Sequence, residues 1–181
     1  MGPDIYFMAH DNHQNGAIVE TQEHQEAGAF RKMPSAEQVT VIRRQAFLAY
    51  LFGDDAHAGE QYWYMLINRM LPDCPCETWH FVAFPDGGGY IVPLPPEGNV
   101  FLTIRGLRGT DYTVSADAAG IILTTGILSL RMHLHCLKGN DEMMQFCRTR
   151  HSQLMAFAGM HPEHGVTGVI LSEYNFCNRY F

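Results

Sequence analysis

Hydrophobic positions between Trp79 and Pro93 fall into two short runs, WHFVAF and YIVP, separated by the turn-forming string PDGGG. Trp79, Phe81 and Ala83 alternate with His80, Val82 and Phe84 at the two-residue period of an extended chain. Tyr90, Ile91 and Val92 resume the run beyond the glycines, so the stretch predicts a β-hairpin. Asp86-Gly87 supplies the positive φ angles of a tight turn, and Gly88 and Gly89 leave room for a bulge or a slightly longer loop. A phosphate-binding glycine loop is excluded: no Lys-Ser/Thr follows, the glycines are contiguous, and a strand comes next instead of a helix N-terminus.

Helical periods flank the hairpin. Val39, Ile42, Ala46, Phe47, Tyr50 and Leu51 recur three and four apart up to Gly53, with Ser35 and Gln38 spaced as a capping box ahead of them. Tyr62, Met65, Leu66, Arg69 and Met70 set a second helix from about Ala58 to Leu71, ended by Pro72. After Pro93, Pro95 and Pro96, which cannot sit inside a sheet, VFLTIR (100–105) and TDYTV (110–114) add two strands around Gly106-Leu107-Arg108-Gly109. With the hairpin they predict a four-stranded antiparallel meander. Ser115 is placed as an N-cap and Asp117 against the positive end of the dipole of a helix whose Ile121, Ile122, Leu123, Ile127, Leu128 and Leu130 leave hardly any polar face. That helix should lie under the sheet, and its apolar run ends at Arg131, short of the roughly 20 residues a bilayer needs. A last helix is expected from about Asp141 to Gly159.

The fold class that results is α+β, a small antiparallel sheet of about four strands surrounded by helices. Residues 1–33 are polar and rich in Gln, Asn and His, and are expected to be an irregular or disordered lead-in that can be removed without unfolding the rest. Residues 34–175 form the single domain, and residues 176–181 a loose tail.

Charge narrows the function. The 12 Lys and Arg form no run and are outnumbered by 19 Asp and Glu, a net charge of −7, which argues against affinity from phosphate neutralisation. Those 19 acids in 181 residues are also too sparse to imitate the charge of DNA. Five cysteines, Cys74, Cys76, Cys136, Cys147 and Cys177, show no framework spacing and are read as free thiols of a cytoplasmic protein. No apolar signal segment lies near the N-terminus.

Candidate chemistry is sparse. Cys74, Cys76 and His80, together with His133, His135 and Cys136, could join in a zinc site and support a metal-dependent hydrolase. Their spacing argues against it, since one residue separates the paired cysteines, and His133 and His135 point to different sides of a helix. His161-Pro162-Glu163-His164 has the composition of a metalloprotease motif, but the proline removes the helix that motif requires, and a turn is expected. Ser115 could be a nucleophile, although capping explains it. Trp79 and Tyr90 could stack on a base, although cross-strand packing explains them. A weak nucleic-acid module would use Arg105, Arg108, Arg148 and Arg150. No catalytic residue, cofactor, membrane or small-molecule ligand is expected.

Taken in order, Tyr62-Trp63-Tyr64-Met65 with Arg69, Trp79-His80-Phe81, Gly87-Gly88-Gly89-Tyr90 with Pro93, the run Ser115-Ala116-Asp117-Ala118-Ala119-Gly120-Ile121, and His161-Pro162-Glu163 resemble the ArdB/KlcA antirestriction proteins of plasmids, prophages and genomic islands. The resemblance covers about residues 39–174. It implies an α+β fold, no enzymatic activity, and relief of type I restriction of incoming DNA through the restriction complex or its DNA-bound form. It also implies a mechanism other than DNA mimicry.

Overall fold

The computed structural model describes residues 5–7, 40–74, 78–95 and 101–174. In chain order these form β1 (Ile5–Phe7), α1 (Thr40–Phe52), a 3-10 turn (Gly53–Asp55), α2 (Ala56–Met70), β2 (Thr78–Ala83) and β3 (Gly89–Leu94). Then come β4 (Phe101–Arg105), β5 (Asp111–Ser115), α3 (Ala116–Leu137), α4 (Asp141–Ala158) and α5 (His164–Tyr174). The fold is α+β: helices pack around two small antiparallel hairpins, β2–β3 and β4–β5. The Ser35–Gln38 capping box, Cys76, most of the lead-in and the tail lie outside the described residues.

The four antiparallel strands are present but do not make one meander. β4 and β5 pair only with each other, Thr103 opposite Thr113, in a sheet separate from β2–β3. The physical reason lies at β3, whose outer edge is covered by α3. Ile91 N–H donates to Thr124 Oγ1 at 3.1 Å, and Gly120 approaches so closely that a Cβ there would lie 3.0 Å from Val92 Cα. A strand edge already occupied by a helix has no free ladder to offer β4. On its other side the sheet gains a strand the sequence reading missed. Ile5–Phe7, assigned to the irregular lead-in, pairs in parallel with β2, Ile5 opposite Phe81 and Phe7 opposite Ala83. Three residues are too few to show a period, although Ile, Tyr and Phe all favour strands.

The β2–β3 turn takes the longer form that Gly88 and Gly89 leave room for. Ala83 pairs with Gly89, and the turn runs Phe84-Pro85-Asp86-Gly87, closed by Gly87 N–H donating to Phe84 O at 3.1 Å. Proline suits its second position, and Gly87 and Gly88 carry φ of 94° and 81°. Two helices clamp it. Tyr50 Oη of α1 donates to Gly88 O at 3.1 Å, and Gln153 Nε2 of α4 donates to Asp86 O at 3.0 Å.

The hairpin's two faces meet different helices. Phe81 packs on Phe47 of α1 with ring centroids 4.8 Å apart, and Trp79 meets Trp63 of α2 edge-on at 5.3 Å. Arg44 lies 3.7 Å over the Trp79 ring. Tyr90, on the other face opposite Val82, stacks on Phe157 of α4 at 5.6 Å. Trp79 and Tyr90 are therefore buried on opposite sides of the hairpin, so the two rings do not form a shared platform for stacking on a base.

α3 is the axis of the molecule. It contacts α2, α4, α5, β3, β4 and β5, and every residue from Ala118 to Arg131 is buried. Each large apolar side chain so buried stabilises the fold by about 1.5–3 kcal/mol. The helix runs beyond the apolar stretch that ends at Arg131 and reaches Leu137, and by length and composition it is long and apolar enough to cross a membrane. Here it is enclosed by the rest of the chain. α5, absent from the sequence reading, packs beside it through Thr167, Ile170 and Tyr174.

Candidate functional site

The N-terminus of α3 gathers polar side chains from four elements. Ser115 ends β5 in an extended conformation and turns into the helix, its Oγ accepting the Ala118 N–H at 3.0 Å, so it is the N-cap the sequence predicts. Asp117, in the first turn, complements the dipole and also accepts two hydrogen bonds. Tyr90 Oη of β3 donates to Oδ1 at 2.6 Å, and His161 Nε2, from the α4–α5 corner, lies 3.0 Å from Oδ2. His161 Nδ1 receives the Glu163 backbone N–H at 3.1 Å. Because an amide can only donate, Nδ1 is the acceptor and Nε2 carries the proton given to Asp117. Glu163 completes the set: Oε1 accepts the Ser115 N–H at 2.9 Å and Oε2 accepts the Ser115 hydroxyl.

Burial first, then the Asp117 charge and its hydrogen bond, raise the Tyr90 phenol above its ordinary range. Tyr90 therefore stays a donor at any physiological pH. Phe157 and Phe84, with ring centroids 4.6 Å apart, wall off this side of the network. The sequence reading had Ser115 and Asp117 but took His161 and Glu163 for a turn and Tyr90 for strand packing. The only sequence signal joining them is that all five sit in the stretches that carry the family resemblance.

This geometry does not assemble a nucleophile with an imidazole base. Both ring nitrogens of His161 are committed elsewhere, and the Ser115 oxygen is engaged as cap acceptor while its proton goes to Glu163. What the arrangement does is fasten β3, α3 and the α4–α5 corner to one another through two carboxylates at the positive end of a helix.

The metal candidates are dispersed. Cys74 is disulfide-bonded, which corrects the expectation of a free thiol there, whereas Cys136 and Cys147 are free. His80 is half-buried on β2, and His133 is half-buried on α3. His135 is buried with Nε2 2.9 Å from Asp55 Oδ2, and Cys136 is exposed. Among the described residues no three His, Cys, Asp or Glu side chains are placed to hold a metal ion. The arginines of the nucleic-acid alternative are partly engaged. Arg105 lies 3.5 Å from Asp73, and Arg150 stacks 4.5 Å over Tyr50, while Arg108 and Arg148 are exposed on β4–β5 and α4.

A second polar cluster lies at the 3-10 turn. Arg131 Nε donates to Asp55 Oδ2, the atom that His135 also meets, and the Arg131 guanidinium lies 5.4 Å from the Tyr62 ring. It joins the α1–α2 connection to the last turns of α3.

Comparison with known proteins first fixes the class. A solved structure of the KlcA and ArdB proteins matches with a TM-score of 0.58 and 27% identity, covering 81% of this chain and 100% of that one. The chain is thus an α+β protein of that fold. KlcA and ArdB show antirestriction activity against type I DNA restriction systems in vivo but not in vitro. The chain belongs to the antirestriction protein family, whose model matches residues 73–171. It is also 42% identical over 130 residues to YubI of Escherichia coli (strain K12), which carries an antirestriction name, spanning 72% of this chain and 90% of YubI.

Proposed function

We infer that this protein relieves type I restriction of incoming DNA as a non-catalytic interaction protein. It acts in the cytoplasm on the restriction complex or its DNA-bound form, and its gene belongs to a mobile element such as a plasmid or prophage. The observation that carries the reading is the match in sequence and fold to proteins active against type I systems. The physical chemistry supports the manner of action. A net charge of −7 with scattered acids is too dilute for DNA mimicry and of the wrong sign for phosphate binding. The polar network at α3 is consumed by scaffold hydrogen bonds.

The test is the plating efficiency of unmodified phage on a host with an active type I system, with and without the expressed protein. Plating should rise by at least tenfold and should not rise on a host lacking the system, where there is nothing to relieve. Soluble, folded protein that leaves plating unchanged on the restricting host would overturn the reading. A cellular assay is chosen because the activity of KlcA and ArdB is seen in vivo but not in vitro.

A further inference from the structure

Cys74 is disulfide-bonded, and Cys136 and Cys147 are free. Of the five cysteines only Cys76 and Cys177 remain as its partner, both outside the described residues. Local geometry argues against Cys76. The residue before a proline is biased toward extended backbone, and Cys74 precedes Pro75. Side chains two apart on an extended chain share a face but stand about 7 Å apart, whereas bonded Cβ atoms lie about 4 Å apart. That gap closes only if the chain bends sharply at the proline.

The end of α5, in contrast, is carried toward Cys74 by a series of contacts. Tyr174, the last residue of α5, is buried and donates its hydroxyl to Arg105 O at the end of β4. The guanidinium of the same Arg105 lies 3.5 Å from Asp73, the neighbour of Cys74. Glu173 accepts the Tyr112 hydroxyl of β5, so two successive residues pin this end of α5 to the β4–β5 hairpin. Cys177 follows Tyr174 by three residues, a reach of about 10 Å. Cys74 is half-buried against the core, and its N–H donates to Leu71 O at 3.0 Å, so its place is fixed.

We propose that Cys74 and Cys177 form a reversible disulfide clasp that fastens the C-terminal tail, read from the sequence as loose, to the α2–β2 connection. The ring so closed takes in everything from β2 to α5. The pairing is independent of the function inferred above, whereas its reversibility rests on action in the cytoplasm, where thiols open most disulfides and those that form are usually redox-sensing. In opening, the thiolate of a low-molecular-weight thiol attacks one sulfur of the clasp, the bond between the cysteines breaks, and the other cysteine leaves as a thiolate. A second thiol displaces the first from the mixed disulfide. Two reductant thiols thus end as one disulfide, and the protein gains two electrons and two protons. Closing is the reverse exchange with a low-molecular-weight disulfide.

The experiment maps and melts the purified full chain. Denatured, alkylated without reductant and cut with trypsin, it should yield peptide 70–105, which holds Cys74 and Cys76, joined to peptide 151–179, which holds Cys177. The joint should survive in Cys76→Ser and vanish in Cys74→Ser. Dithiothreitol should lower the melting temperature of wild type by about 5 °C or more and leave that of Cys177→Ser, already low, unchanged. Exchange into oxidised glutathione should restore the wild-type value. Alkylation of all five cysteines, a bond between Cys74 and Cys76, or a wild-type melting temperature indifferent to dithiothreitol would overturn the clasp. Should the serine variants fail to fold, the wild-type map and melt decide. The same mapping on acid-quenched cells tests the switch, since the joined peptide should increase several-fold under a thiol oxidant and fall back when the oxidant is removed. A joint already complete in untreated cells would overturn the reversibility. Wild type without restriction relief would instead remove the inferred function and leave the pairing to the peptide map.

Discussion

Glu163 holds Ser115 at two points, taking its backbone N–H at 2.9 Å on one carboxylate oxygen and its hydroxyl on the other. The residues are 48 apart in the chain. Ser115 in turn caps α3 through Ala118, so one serine both starts the central helix and receives the α4–α5 corner. Asp117, two residues on, repeats the pattern with Tyr90 and His161. The most family-like stretch of the sequence thus holds its neighbours in place.

Ser115→Ala should cost more than a lost cap. The cap accounts for about 1 kcal/mol, and loss of the hydroxyl from Glu163 for about another 1 kcal/mol. Urea unfolding should show a total near 2 kcal/mol, and restriction relief should fall only in proportion to soluble protein. A variant that keeps its stability and yield yet loses all relief would place Ser115 in a functional surface or a catalytic centre.

Gly120 and Gly168 should respond with opposite signs to the same change. In an open helix Gly→Ala gains about 1 kcal/mol, and Gly168→Ala, with nothing near its Cβ, should show that gain. At Gly120 the added methyl would press on the backbone of Ile91 and Val92, so Gly120→Ala should destabilise by about 1–3 kcal/mol and Gly120→Leu by more. Equal effects at the two sites, read by urea midpoint, would refute the close approach of α3 to β3.

What the sequence made legible follows from the range of each interaction. The α1, α2 and α3 periods, the β2–β3 pairing and the Ser115 cap are local and were readable. α5 was not, because HGVTGVILSEY mixes glycines and aliphatics without a clean polar face. The separation of β4–β5 from β2–β3 depends on α3 occupying the β3 edge, a packing event no strand pattern reports. The network was hidden for the same reason, since His161 and Glu163 lie more than 40 residues from Asp117 and Ser115 and look like an ordinary helix-ending turn. Asp55, 76 residues from Arg131, gave no signal either.

Asp55→Ala should be among the most damaging single changes in the chain. Arg131 is 7% exposed and His135 8%, and both direct a nitrogen at one Asp55 oxygen. Removing the carboxylate leaves a buried guanidinium uncompensated, a cost of about 3–5 kcal/mol. Exchanging Asp55 and Arg131 together for apolar residues should recover much of that loss. A double variant no more stable than Asp55→Ala would show that the ion pair is not what the single change removes.

A chain beginning at Met33 should remain folded, because the helices and both hairpins are retained. It loses β1, however, and uncovers the β2 edge from Phe81 to Ala83. Thermal unfolding should stay cooperative with a midpoint lower by a few degrees, the equivalent of about 1 kcal/mol. Loss of the cooperative transition would show that the first 32 residues pack on the domain well beyond one short strand.

The last prediction concerns alkaline pH. Cys147 of α4 is fully buried, and burial first, then the Asp55 charge, push its thiol up to about 11, with Arg131 pulling the other way. An unfolded cysteine titrates near 8.5–9. Below about pH 9 both states keep the proton and the group contributes no pH dependence. Between about pH 9 and 11 the unfolded chain releases a proton that the folded chain retains, so stability falls as pH rises, by at most about 1.4 kcal/mol per unit. Tyr50 and Tyr90, both raised by burial, act in the same direction at still higher pH. Cys147→Val keeps an apolar side chain of similar size and cannot titrate, so its urea midpoint should drop less than that of wild type between pH 8 and pH 10.5. Iodoacetamide at pH 8 should meanwhile label exposed Cys136 well before Cys147. Equal labelling rates, or a pH dependence untouched by Cys147→Val, would show that burial does not hold the Cys147 thiol protonated.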